Sequence, residues 1–260
     1  MSNNGHRSTE RVLDILKLLS QNSSGYSLTE ISTLLTAPKS SLFPIIHTMQ
    51  NRGFIQLETT SGKYRIGPQA YLTGSAYKSD RPIYDIIKSN MQKLVDSCHE
   101  TCHLGILSGD SVLYIAKIAS ENAIMLRSHI GQRLPAYCTG IGKALIYPLS
   151  KNELQQLYPN GLTAYTPTTI TSFDCLCKEL EEVKRSGYAY EYSELTEGIQ
   201  CVAVPLCNGD SIIASTSIAL PIYRATPEKL QEIKLLLDEY KEVVEHSMQQ
   251  LNINDNSYLI

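Results

Sequence analysis

Apolar residues recur along the first part of the chain at helical spacing. Val12, Ile15, Leu16 and Leu19 fall on one face of a segment from Ser8 to Ser20, which the polar run QNSSGY closes. Ser27-Leu-Thr-Glu30 has the form of a capping box: the serine oxygen accepts from the Glu30 amide while the glutamate reaches back to the Ser27 amide. A second helix is expected from there to about Leu35. After a short TAP turn, Pro38 suits a first helical position, and Leu42, Ile45, Ile46 and Met49 form an i, i+3, i+4, i+7 stripe on a third helix ending near Gly53. Phe54 to Leu57 and Lys63 to Ile66 then read as two short strands around Ser61-Gly62, with Lys63 and Arg65 on one face and Tyr64 and Ile66 on the other.

Three helices followed by a basic-edged hairpin is the layout of a winged helix-turn-helix. In it the third helix enters the major groove and the wing holds phosphates. The competing reading of this pattern is a three-helix cap on an enzyme. Pro44 stands inside the third helix, where proline removes a backbone hydrogen bond and crowds the preceding turn at about 3 kcal/mol, so a bend or restart near Ser40 is expected.

Farther along, a helix from Gly67 to Lys78 is expected to link two domains, with Arg81-Pro82 punctuating its end and another helix from Ile83 to Ser97. His103–Leu107 with Ser111–Ile118, and Cys201–Leu206 with Ser211–Leu220, are strand pairs around the turns SGD and NGD. Between them lies a helix from Ser172 to Arg185, carrying Leu176, Leu180 and Val183 inward and ending at Gly187. The last helix starts at Thr226-Pro227. Antiparallel strands with helices packed on them predict an α+β domain. The expected division is 1–67 for the winged helix, 68–82 for the linker helix, 83–250 for the α+β domain and 251–260 for a C-terminal tail.

Composition narrows the class. A chain of 260 residues with 42% hydrophobic and 19% charged content has the balance of a soluble globular protein, and two domains suit its length. No apolar run approaches the roughly 18 residues that span a bilayer, and the polar start MSNNGHRSTERVLD lacks secretory-signal character, so the cytoplasm is expected. Seven scattered cysteines do not suggest a disulfide framework. The net charge of -3 is uneven: residues 1–70 hold Arg7, Arg11, Lys17, Lys39, Arg52, Lys63 and Arg65 against Glu10, Asp14, Glu30 and Glu58, which is +3, while the rest carries -6.

Thr139-Gly-Ile-Gly-Lys143 is the motif most open to chemistry. Glycines let the backbone approach a ligand, and free amides at a helix start attract carboxylate or phosphate oxygens. A nucleotide-binding P-loop would need glycine at Tyr137 and Ser or Thr at Ala144, so that reading fails. A tight turn needing glycine for geometry alone is the other possibility. Cys98-His99 and Cys102-His103 invite a thiol- or metal-responsive reading. Their spacing straddles a helix-to-strand transition with no second ligand pair, and no metal site or cofactor is assigned. Cys201 with Glu191 lacks a histidine partner for an enzymatic nucleophile, so no catalytic residue is expected.

The run from Ser27 to Gly67, SLTEISTLLTAPKSSLFPIIHTMQNRGFIQLETTSGKYRIG, resembles the DNA-binding segment of the IclR family of bacterial regulators. IGQRLPAYCTGIGKAL, TPTTI, GYAYEYSELTEGIQCVAVPL and STSIALPIYR resemble, in order, its effector domain, so the similarity spans about residues 8 to 245. The resemblance implies a GAF-like effector domain behind the winged helix, a double-stranded DNA operator, control by a small carboxylate or sugar acid, repression as the commoner outcome, and a homodimer or homotetramer on paired half-sites. The family usually has arginine where this chain has Pro44. That leaves Lys39, Ser40, Ser41, Phe43 and His47 as outward residues of helix three, joined by Ser27 and Thr29 at helix two and Lys63 and Arg65 on the wing. Phe43 suits thymine methyls; His47 reads either as a base contact or as a solvated histidine. In the effector domain the resemblance implies pocket residues Gly140, Ile141, Glu191, Cys201, Ser217 and Ala219. Glutamate at 191 and alanine at 219 replace the aspartate and second serine of small-acid binders, which implies an effector larger than glyoxylate or pyruvate. Glu191 would then accept a hydrogen bond from a ligand hydroxyl, and Cys201 reads either as a pocket residue or as a buried small hydrophobe.

Overall fold

The computed structural model describes residues 6–75, 82–120 and 128–259. The chain divides into two compact units, Met1–Asp80 and Arg81–Ile260.

In the first unit, α1 (Arg7–Ser20), α2 (Leu28–Leu34) and α3 (Lys39–Asn51) precede an antiparallel hairpin of β1 (Ile55–Glu58) and β2 (Lys63–Ile66). The predicted stripes close one core: Ile15 and Leu19 from α1, Ile31 from α2, and Leu42, Ile46 and Met49 from α3 meet Ile55 and Tyr64 of the hairpin. Both halves of the Ser27 capping box form, with the Ser27 amide donating to Glu30 Oε2 at 2.7 Å and the Glu30 amide to Ser27 Oγ at 3.3 Å. The turn between α2 and α3 is tied by Ser32, whose hydroxyl donates to the Ala37 carbonyl at 2.7 Å.

Pro44 does not divide α3. The element is one helix on both sides of it, so of the bend or restart expected near Ser40 the restart does not occur. Buried Leu42 on one side and buried Ile46 and Met49 on the other hold the axis together. The missing bond falls on the solvent face, where both Ser40 and Pro44 are exposed and water can reach the freed carbonyl. The segment expected to form a linker helix contributes α4 (Pro68–Ser75), and residues 76–81 lie outside the described residues.

The second unit is built on a six-stranded antiparallel sheet. Its strands are β3 (Thr101–Ser108), β4 (Ser111–Ile118), β5 (Arg133–Pro135), β6 (Ala189–Tyr192), β7 (Ile199–Asn208) and β8 (Ser211–Pro221), in the spatial order β5-β4-β3-β8-β7-β6. One face is covered by α5 (Pro82–Cys98) and α9 (Pro227–Gln250), which bury Cys102, Leu104, Ile106, Val202, Val204, Ile218 and Leu220. The opposite face carries α6 (Gly140–Ile146), α7 (Lys151–Leu157) and α8 (Phe173–Ser186) over Ala189 and Ala203. Because strand side chains alternate, Cys102 and His103 point to opposite faces. The last ten residues, expected as a tail, bring Ile253 and Leu259 into the α5–α9 core, and Asn208 Nδ2 donates to the Ile253 carbonyl at 2.9 Å.

The cost of a proline in α3 is measurable. Pro44→Ala restores a helical amide and is expected to raise the unfolding free energy of the full chain's N-terminal unit by about 1–3 kcal/mol in urea denaturation. No gain would mean that the pyrrolidine ring contributes packing equal to the lost bond.

Candidate functional site

Between the start of α6 and the sheet lies a cavity of roughly 380 Å³. Alternate positions of the strands supply its floor: His103 of β3, Tyr114 of β4, Cys201 of β7, and Ser217 and Ala219 of β8. Register aligns two rows across it, Glu191–Cys201–Ala219 and Ala203–Ser217–His103. Thr139, Gly140 and Ile141 form one wall, and Leu195, Thr196 and Glu197 another.

The two glycines of the 139–143 loop do different things. A Cβ at Gly142 would lie 2.1 Å from the Ala136 carbonyl oxygen, so only glycine fits there, and the reason is packing. A Cβ at Gly140 would meet Cys201 Cβ at 3.3 Å and Ala203 Cβ at 3.4 Å, so glycine at 140 seats the helix start tightly on β7. Thr139 caps α6 by accepting from the Gly142 amide at 3.1 Å, whereas the Gly140 and Ile141 amides occupy first-turn positions that have no acceptor inside a helix.

Lys143 is a structural pin. Fully buried, it donates to Glu194 Oε1 at 2.5 Å and to the Tyr190 carbonyl at 3.1 Å, with Glu179 3.6 Å away. Burial pushes the Glu194 carboxyl up while Lys143 pulls it back, and its second oxygen, Oε2, is buried without a partner among the described residues. The Glu194 and Leu195 amides donate in turn to Glu191 Oε1 at 2.7 and 3.3 Å, and the Cys201 thiol donates to Glu191 Oε2 at 3.0 Å. Burial raises the pKa of Glu191 against these bonds. Glu191, expected to accept from a ligand hydroxyl, lines the cavity while its oxygens also hold the 193–197 segment and β7.

No lysine or arginine lines the cavity among the described residues. His103 shares a 2.7 Å hydrogen bond between Nε2 and Ser128 Oγ and packs edge-on to Tyr114, ring centroids 5.3 Å apart. Burial, reinforced by Lys117, lowers its pKa from 6.5 to about 3, so the imidazole is neutral at physiological pH. The Tyr114 and Ser217 hydroxyls face the cavity and make no hydrogen bond among the described residues. The lining is therefore uncharged except at its acidic edge and retains unused hydroxyl donors.

In the first unit, α3 exposes Lys39, Ser40, Phe43, Pro44, His47, Thr48 and Asn51. Ser41 is half-buried, and its hydroxyl donates to the Pro38 carbonyl at 2.7 Å. Thr29 is exposed at the start of α2, beside the engaged Ser27. On the wing, Arg65 pairs with Glu58 at 3.0 Å and both it and Lys63 are half-buried, so the expected basic edge is partly neutralised within the hairpin.

Comparison with known proteins matches residues 8–58 to the IclR helix-turn-helix domain and residues 75–246 to the family described as bacterial transcriptional regulator IclR C-terminal. The chain belongs to the IclR family. It is accordingly a DNA-binding transcriptional regulator. The HTH-type transcriptional regulator XynR of Escherichia coli K12 is 34% identical over 235 residues, 90% of this chain and 93% of XynR. The HTH-type transcriptional repressor AllR of Escherichia coli K12 is 29% identical over 227 residues, 86% of this chain and 84% of AllR. An IclR homologue of Microbacterium hydrocarbonoxydans, solved in complex with 4-hydroxybenzoate, shares the fold with a TM-score of 0.79 at 18% identity, covering 94% of this chain and 99% of its own.

In this IclR chain all six residues assigned to the pocket by resemblance, Gly140, Ile141, Glu191, Cys201, Ser217 and Ala219, line the one cavity. His103 and Tyr114 were missed. The signal lay in the alternation of HLGIL and SVLYIAKI, but its phase becomes readable only once β3 is placed beside β8. The Cys-His motif does not converge: Cys98 and Cys102 are buried in the α5–α9 core, His99 is exposed, and His103 lies in the cavity. Burial pushes both thiols up, which disfavours the thiolate a metal would need.

Two measurements check these assignments. Lys143→Met strands the Glu194 carboxylate in the interior and is expected to cost about 3–5 kcal/mol, most of it recovered in Lys143→Met/Glu194→Gln; a single variant as stable as the parent would refute the pin. His103 binds its proton more weakly folded than unfolded, so stability is complete above pH 6.5 and falls as pH drops toward 3, by about 1.4 kcal/mol per unit from this group. In urea unfolding at pH 7 and 5, His103→Gln should therefore lose about 2 kcal/mol less than the parent on acidification.

Proposed function

We propose that this chain is a cytoplasmic repressor whose hold on a DNA operator is set by a small hydroxylated carboxylate, an organic or sugar acid, bound in the cavity of the second unit. The observation that carries this reading is a cavity onto which the Ser217 and Tyr114 hydroxyls open with no hydrogen-bond partner among the described residues. Both hydroxyls are available to bond a ligand that presents hydroxyl and carboxylate oxygens, each such bond contributing about 0.5–1.5 kcal/mol. The first-turn amides of Gly140 and Ile141 suit the carboxylate end, and Ser217, Tyr114 and His103 suit the hydroxylated end. Alanine at 219 leaves room where a second hydroxyl would narrow the floor. The site works by binding, with no reaction assigned to it. AllR, named a repressor, supports repression, and the 4-hydroxybenzoate complex supports a hydroxylated carboxylate as the ligand class.

A winged helix reads only a short site, so a homodimer or homotetramer on paired half-sites is part of the proposal.

A thermal-shift screen of the full chain against hydroxy, oxo and aldonic acids tests the ligand class; an acid at a hundred times its Kd is expected to add about 2.7 kcal/mol of stability. Gly140→Val should abolish that shift while leaving salt-sensitive binding to DNA upstream of its own gene intact. The reading fails if no acid stabilises the protein, or if the unliganded chain ignores that DNA at low salt.

A further inference from the structure

Helix α3 turns two neighbouring exposed rows to solvent, Lys39–Phe43–His47–Asn51 and Ser40–Pro44–Thr48. Lys39 is their only cation. The Thr48 hydroxyl is used within the helix, donating to the Pro44 carbonyl at 2.8 Å, and Pro44 brings no donor at all. At the centre stands Phe43, 55% exposed. Its ring stacks on His47, centroids 6.2 Å apart and planes inclined by 26°, and Asn51 Nδ2 lies 3.2 Å from His47 Nδ1. The helix thus presents an apolar plate at Phe43, braced from its C-terminal side, next to a proline that offers no hydrogen-bonding group.

In the major groove the apolar group on a base edge is the C5 methyl of thymine, whereas every other feature is a donor or acceptor. 5-Methylcytosine presents a methyl at the same position. We propose that Phe43 is a specificity-determining residue that rests on a pyrimidine C5 methyl, so that this regulator distinguishes methylated from unmethylated pyrimidines at one position of each half-site. This rests on the DNA-binding assignment of the first unit. The same contact favours thymine or 5-methylcytosine over uracil or cytosine, which makes operator affinity sensitive to cytosine methylation. Burying one methyl against the ring corresponds to about a fourfold change in affinity.

The test uses the full chain and duplexes it selects from a random-sequence library at low salt. Each thymidine of an enriched duplex is replaced in turn by deoxyuridine, which removes only the methyl. At one position per half-site the affinity is expected to fall about fourfold, and there a 5-methylcytosine·guanine pair should bind about fourfold more tightly than cytosine·guanine. Both differences should vanish in Phe43→Ala and persist in part in Phe43→Leu, with the salt dependence unchanged in both. Enriched duplexes indifferent to the methyl, or a methyl effect that survives in Phe43→Ala, overturn the proposal alone. A library that yields no enriched duplex and no salt-sensitive binding overturns it together with the DNA-binding reading.

Discussion

One wall of the cavity depends on the buried ammonium of Lys143. From α6 it holds Glu194; the Glu194 amide holds Glu191 on β6; and Glu191 holds the thiol of Cys201 on β7. One helix, one irregular segment and two strands are thereby registered to each other by a single chain of polar contacts. Such a buried pair contributes little net stability, because desolvating both ions offsets most of their attraction. Its effect is on uniqueness. With each oxygen of Glu191 committed, the 193–197 segment has one favourable path, and the cavity it walls has one shape.

The same economy separates the charged from the reactive. Lys143 and Glu194 are spent on each other, His103 is kept neutral by burial, and the Cys201 thiol is pushed up by burial and by Glu191. Apart from its acidic edge, the pocket therefore offers uncharged donors and a thiol held in its protonated form. On the first unit, Glu58 comparably pairs the Arg65 guanidinium of the wing.

Local features of the chain were readable in advance because they depend on neighbours within a turn or two. The stripe through Leu42, Ile46 and Met49, the Ser27–Glu30 capping box, Gly187 in the left-handed region after α8 and the two NGD- and SGD-type hairpins all belong to this class. Pocket membership of Gly140, Glu191 and Ser217 was accessible only through resemblance to a family, since no spacing brings such distant positions together. What remained hidden depends on long-range pairing. The sheet order joins β3 to β8 across more than a hundred residues, and that pairing alone puts His103 beside Ser217 and turns Cys102 away. Lys143 and Glu194 stand 51 residues apart, and nothing local marks either as a partner. Helix α3 also continues through Pro44 without the restart that its local penalty allowed, anchored in the core by Leu42, Ile46 and Met49.

The close approach of Gly142 to the Ala136 carbonyl has an implication for altering what this protein senses. Position 142 is closed to diversification, since any side chain there would strike the Ala136 backbone and displace the start of the helix. Ser217 and Ala219 stand on a long central strand whose backbone is fully paired on both sides, so their side chains can change without moving the frame. Engineered biosensors with new ligand preferences, and natural drift of this lineage toward other metabolites, are therefore channelled through the strand floor of the cavity, while the glycine-bearing rim stays fixed.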